Sequence, residues 1–343
     1  MNFEHIIKKV LSFIGAQKTL IVQLDITNSC NLNCRHCYQT GHSAVEDMPL
    51  GKWKKIIDQF SGLTRKLLLT PHFGISGGEP TISPEFIPIL RYIRERHPDA
   101  GLAVLSNGTS LSENVVREIA AVGAKVQLSL EGPDAASHEF VRGRGSFDKT
   151  ILGLRRLQDA GIYVTLQAVL SRRTAPMADA FFDLARDLKV SGMNFARFVP
   201  QGRGLDYQRS GDDGPLYKNE LKDAYSSILA ASRRTGVYTS TNLPLFVLIS
   251  PELGMHSRAG FQGLVIDHKG NLKVSSRTDF ILGNIADSGL ADLFLRHPIM
   301  VGLRKGKIEG CSECSYFSRC GGDRNASYEA HGTFFKKDPG CWL

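Results

Sequence analysis

No stretch of this 343-residue chain reaches eighteen uninterrupted apolar residues, so the sequence offers no membrane-spanning helix. The N-terminus lacks the apolar core and small-residue cleavage site of a secretory signal, and the expected compartment is the cytoplasm. Aromatic residues make up only 8% of the chain. The net charge of +8 is scattered as Lys8-Lys9, Arg155-Arg156, Arg172-Arg173, Arg233-Arg234 and Lys336-Lys337. No basic stripe with interleaved aromatics forms, which argues against nucleic acid and leaves solvated faces or an anionic substrate to account for the charge. Cysteine is missing between residues 37 and 311. Seven thiols gathered at opposite ends of a cytoplasmic chain suggest metal binding rather than disulfides. What is present in quantity is core material: 42% hydrophobic residues suit one large domain or a barrel with an appended module.

The first thiol group is Cys30-Asn31-Leu32-Asn33-Cys34-Arg35-His36-Cys37-Tyr38, directly after the apolar run 20–26, which reads as a buried strand. Thiols at intervals of four and three on one loop can converge on one centre, because thiolates are the soft ligands that iron–sulfur clusters take. A four-iron cluster held by three cysteines keeps one iron open for an outside ligand. A structural zinc site completed by His36 or His42, or three unrelated buried thiols, is the alternative.

From residue 20 to about 198, β-rich runs alternate with helical patterns, which predicts βα units on a parallel sheet. Strands are expected near 20–26, 72–76, 101–105, 125–130, 162–169 and 193–198. Helices are expected near 50–61, 84–97, 112–122, 147–160 and 177–189, with Ser112 and Ser146 as N-caps. Residues 2–14 carry apolar residues at helical spacing and predict a short amphipathic helix. Residues 205–214 read as a loop or linker, a long helix follows near 215–235, and a domain boundary is expected at about 237. Beyond it, alternating apolar residues around Asp267-His268-Lys269-Gly270-Asn271 predict a β-hairpin, and a short helix is expected near 289–296. The second thiol group is Cys311-x2-Cys314-x5-Cys320-Gly-Gly, with Cys341 separated from Cys320 by twenty residues. By spacing alone it could be a zinc knuckle.

Cys-x3-Cys-x2-Cys followed by an aromatic resembles the signature of the radical S-adenosylmethionine (SAM) enzymes. Three further motifs strengthen the resemblance: Gly77-Gly78-Glu79-Pro80 after strand two, Ser106-Asn107-Gly108-Thr109 after strand three, and Ser129-Leu130-Glu131-Gly132 with Arg142 after strand four. The resemblance implies a partial (β/α)6 TIM-like barrel and a [4Fe-4S] cluster on Cys30, Cys34 and Cys37. Its open iron would chelate SAM, whose reductive cleavage releases a 5′-deoxyadenosyl radical. It further implies that Glu79 and the Gly77–Gly78 backbone meet the methionyl ammonium, that Tyr38 and Asn107 face the SAM pocket, and that Ser129 and Arg142 bind the carboxylate and ribose. A guanidinium can hold a carboxylate bidentately. The Cys-x2-Cys-x5-Cys-Gly-Gly segment is similar to the C-terminal SPASM or twitch module of these enzymes, which implies an auxiliary iron–sulfur cluster on Cys311, Cys314, Cys320 and Cys341. Asp323 or His331 would substitute if Cys341 were not a ligand. Ser275, Ser257 and Arg324 stand where a full module has the thiols of a second, inner cluster.

Together these imply an N-terminal helix over 1–19, a radical SAM barrel over 20–236 and an auxiliary-cluster module over 237–343. The expected function is oxidative modification of a ribosomally made peptide, with a small-molecule or cofactor-biosynthesis dehydrogenation second and a zinc-binding interaction protein third. The partners implied are a separate leader-peptide-binding protein and an electron donor such as flavodoxin or ferredoxin.

Overall fold

A computed structural model describes residues 18–239 and 244–343; the expected helix over 2–14 lies outside them. Six parallel strands follow one another across the sheet: β1 (Thr19–Asp25), β2 (Thr70–Ser76), β3 (Gly101–Ser106), β4 (Lys125–Ser129), β5 (Val164–Leu170) and β6 (Met193–Arg197). In β1 the alternation sends Leu20, Val22 and Leu24 into the layer beneath the helices, fully buried, while Ile21 and Gln23 face the interior of the curved sheet. Helix α1 (Leu50–Leu67) covers the outer face with Trp53, Ile56, Ile57 and Phe60, an i, i+3, i+4, i+7 stripe. The fold is a partial α/β barrel.

Three features differ from expectation. Residues 135–142 form a helix, α2 (Ala135–Arg142), capped by Asp134, whose side chain accepts from the Ser137 N–H at 2.8 Å. The 205–214 loop is partly helical, α3 (Arg203–Arg209). Ser146 is the first residue of its helix rather than the cap, its hydroxyl donating to the Gly143 carbonyl. The expected hairpin is present. Its strands β7 (Gly263–Ile266) and β8 (Asn271–Lys273) form as expected, the turn held by Asp267 Oδ1 accepting from the Lys269 and Asn271 N–H groups. But β7 pairs in parallel with β1, so the hairpin and β9 (Ile281–Asn284) extend the barrel sheet in the order β6-β5-β4-β3-β2-β1-β7-β8-β9. The C-terminal segment thus joins the main sheet through backbone hydrogen bonds.

Candidate functional site

The loop after β1 is fixed at its leading end. Asp47 accepts from the Thr27 hydroxyl and from the Asn28 N–H, and Thr27 Oγ1 accepts from the Ser29 N–H. The turn after β2 lies against it: the Gly78 N–H donates to the Thr27 carbonyl at 2.8 Å and the Glu79 N–H to the Ser29 carbonyl at 2.9 Å. A Cβ at Gly77, where φ is +137°, would overlap the Thr27 carbonyl, and one at Gly78 would overlap that of Ser29. Glycine is demanded at both positions by this backbone approach.

The three thiols of the loop are buried or half-buried. Leu32 N–H lies 3.5 Å from Cys30 Sγ, Asn107 Nδ2 4.0 Å from the same sulfur, Arg142 Nη1 3.8 Å from Cys34 Sγ, and His42 Nε2 3.7 Å from Cys37 Sγ. Burial raises all three thiols, Cys30 to about 11, while the Arg142 guanidinium opposes the rise at Cys34. Thiolates here need a cationic centre to form, and N–H donors stand ready to accept their charge. Among the described residues no three His, Cys, Asp or Glu side chains close around a single ion. A multi-iron cluster gives each cysteine its own iron and so sets them around a core rather than a point.

The remaining expected site residues divide into two groups. Glu79 is fully buried, and its carboxylate accepts from the Thr81 hydroxyl at 2.6 Å, the Thr81 N–H at 3.2 Å, the Ser106 hydroxyl at 2.8 Å and the Asn107 N–H at 2.7 Å. It ties the β2 turn to the end of β3. Asn107 in turn holds Thr109 and Asn31. Ser129 is half-buried beside Gln167 across the β4–β5 pair. Arg142, at the end of α2, is gripped by a residue to which the sequence assigned no role. Glu131 Oε1 accepts from Arg142 Nη2 at 2.8 Å and lies 3.1 Å from His36 Nε2, and its Oε2 accepts from the Val169 N–H at 2.9 Å. Burial works against the Glu131 charge, but His36 and Arg142 hold its carboxyl well below the usual range. The available signal was an acidic residue directly after the buried strand end, which needs a partner. Arg142 Nε is buried without a hydrogen-bond partner among the described residues, so the guanidinium retains donor capacity for an anionic ligand.

The four thiols of the second group come together in space. Cys311, Cys314, Cys320 and Cys341 all line one cavity of about 220 Å³ with Leu245, Phe317 and the small residues Gly310, Gly321 and Gly322. Burial pushes Cys320 up to about 12 and raises Cys311. Asp323 and His331, the expected substitutes for Cys341, do not line this cavity. The loop carrying Cys341 is tied to the barrel by a buried bidentate pair, Arg197 at the end of β6 with Asp338 at 2.7 and 3.1 Å. Between the thiol groups lies the barrel lumen, a cavity of about 490 Å³. His36 and Tyr38 from the first cysteine loop line it together with Gln23, Gln127, Gln167 and Asn194 from the strands.

Residues 24–175 match the family profile described as the radical SAM superfamily, spanning the first cysteine loop, the β2 turn and the Glu131–Arg142 pair. Residues 24–175 are a radical SAM domain. The chain's curated relatives include the AdoMet-dependent heme synthase of Methanosarcina barkeri, 26% identical over 94% of this chain and 95% of that protein. Another is the mycofactocin maturase MftC of Mycolicibacterium smegmatis, 27% identical over 90% of this chain and 78% of that protein. Among solved structures, Streptococcus suis SuiB bound to precursor peptide SuiA superposes with a TM-score of 0.73 at 16% identity, over 99% of this chain and 80% of that one. Native anSMEcpe with bound AdoMet and Cp18Cys peptide gives 0.72 at 17% identity, over 93% of each chain. At these identities the superpositions establish the fold. Radical SAM enzymes work with SAM and a [4Fe-4S] cluster, and the C-terminal cysteines fit an auxiliary cluster. The buried and half-buried thiols of the first loop, the free capacity of Arg142 and the four-cysteine cavity suit these groups. No helix among the described residues is long and apolar enough to cross a membrane.

Proposed function

We propose that this radical SAM enzyme oxidatively modifies a ribosomally made peptide within the barrel lumen. The observation that carries the reading is that His36 and Tyr38, flanking Cys37, line the same cavity as the inward-facing strand residues. A reaction begun at the cysteine loop would therefore be enclosed with its substrate. Cys30, Cys34 and Cys37 would hold the [4Fe-4S] cluster, and Cys311, Cys314, Cys320 and Cys341 the auxiliary one. When bound and reduced, SAM supplies a 5′-deoxyadenosyl radical that removes a hydrogen atom from the substrate. The protein's part is positional. Gly77 and Gly78 keep the β2 turn against the loop, and Glu79, bonded as it is to Thr81, Ser106 and Asn107, shapes the wall that faces the methionyl group. Glu131 orients Arg142 toward the SAM carboxylate, with Ser129, Asn107 and Tyr38 completing the pocket. We read 20–236 as the barrel and 237–343 as the auxiliary module.

The maturase relative and the precursor-peptide complex of SuiB support the peptide reading. A separate leader-peptide-binding protein would present the substrate, and a flavodoxin or ferredoxin would deliver the electron. The heme synthase relative supports the second reading, a small-molecule or cofactor-biosynthesis reaction. Anaerobically reconstituted protein should contain about eight irons and eight sulfides. Incubated with peptides encoded beside its gene, SAM and reductant, it should change the mass of one of them. Stoichiometric zinc with about four irons would instead favour a zinc knuckle at the C-terminus, and SAM cleavage with no peptide changed would favour the small-molecule reading.

A further inference from the structure

The lumen carries more positive charge than its own residues neutralise. Arg197, Arg258, Arg277 and Arg324 line it, and Asp323 is the one carboxylate among its described lining residues. Arg197 is matched by Asp338. Asp323 serves both Arg197 at 3.8 Å and Arg277 at 3.6 Å. Four guanidiniums therefore face two carboxylates. Arg324 donates to the Gly322, Phe334 and Lys336 carbonyls, and its Nη2 is buried without a partner among the described residues. The Arg258 guanidinium forms no ion pair with the described residues, and its Nε is likewise buried and unpartnered. Burial pulls Arg258 below the usual arginine value, and no neighbouring carboxylate opposes the shift.

Ser257 and Ser275 line the same cavity as Arg324. Two hydroxyls and a guanidinium are poor ligands for iron, so the space at these three positions belongs to the lumen. Desolvated cations without counter-charges are costly unless a ligand supplies the opposite charge. We propose that Arg258 binds a carboxylate of the substrate in the lumen. The inference rests on the reading of the lumen as the substrate site. It narrows the substrate to an acid, and a cavity of about 490 Å³ admits a side chain with its flanking residues or a small acid.

The test is calorimetric titration of the reconstituted, SAM-loaded enzyme with two acids and their neutral partners: glutarate against glutaramide, and acetyl-Gly-Glu-Gly-amide against acetyl-Gly-Gln-Gly-amide. At least one acid should bind ten-fold or more tightly than its amide. Arg258→Gln should weaken that acid at least ten-fold, while Arg258→Lys keeps it within about three-fold. Tighter binding of the peptide acid places the carboxylate on a peptide, and tighter glutarate binding places it on a free small acid. Equal affinity for acid and amide, which needs no variant to measure, overturns the proposal. So does binding by neither acid, or an Arg258→Gln enzyme that binds the acid like wild type. Wild-type enzyme that forms 5′-deoxyadenosine yet binds neither acid would remove this proposal alone. Wild-type enzyme that forms none would remove the functional reading with it.

Discussion

Replacing Glu131 by Gln tests whether the Glu131–Arg142 pair organises the site. The side chains are 2% and 10% exposed, so the pair sits where solvent does little to screen it. Gln retains the shape and can still accept from the Val169 N–H, but it removes the charge that faces both Arg142 and His36. Stranding one member of a buried pair typically costs ~3–5 kcal/mol. At about 1.4 kcal/mol per decade, the lower figure corresponds to a loss of roughly 100-fold if all of it appears in SAM affinity. The sign of the pH effect follows from the depressed carboxyl. Because the folded value lies below the unfolded one, the contribution is complete above the usual glutamate range and is lost only as acid brings the pH through the folded value. The effect should therefore be constant from pH 6 to 8. The assay is SAM titration together with denaturant unfolding of wild type, Glu131→Gln, Arg142→Gln and the double variant. If the two residues act as a unit, the double variant costs less than the sum of the singles by about 1–3 kcal/mol. Additive losses, or a Glu131→Gln protein with wild-type SAM affinity and stability, would refute the reasoning.

Three further outcomes are expected. Gly78→Ala forces a methyl group onto the Ser29 carbonyl and should displace the first cysteine loop, lowering iron from about eight to about four per chain while the C-terminal cluster persists; full iron content sinks the close-approach argument. Asp25, fully buried at the end of β1, is pushed up to about 6 by desolvation, so the folded protein holds its proton more tightly than the unfolded chain. Stability should then fall as pH rises from about 4 to 6 and stay lower above, and Asp25→Asn should recover up to ~3 kcal/mol at pH 7 but little at pH 4, as read from unfolding of the metal-free protein. Cys314→Ala should lose the auxiliary cluster, still release 5′-deoxyadenosine and form little oxidised product; product at the wild-type rate would reduce that cluster to a structural role.

The sequence by itself determined most of what depends on local order. Strand and helix periods follow from side-chain alternation, so β1 to β6 are found within about two residues of where the pattern puts them. The two cysteine groups were visible because a metal site needs particular atoms at particular spacings. The helix ending at Arg142 was hidden, since its eight residues are too few to show a helical period, and it is fixed by the Asp134 cap and by packing. Tertiary structure alone decided the pairings between residues far apart in the chain. β7 adds to β1 across some 240 residues, and that addition places the C-terminal module over the lumen. It also decided which charges are compensated. The sequence singled out Arg142 but not its pairing with Glu131 and His36, nor the missing counter-charge of Arg258. The consequence of these charges arises because the fold removes them from water, where an ion's energy depends on its nearest partner rather than on its place in the chain.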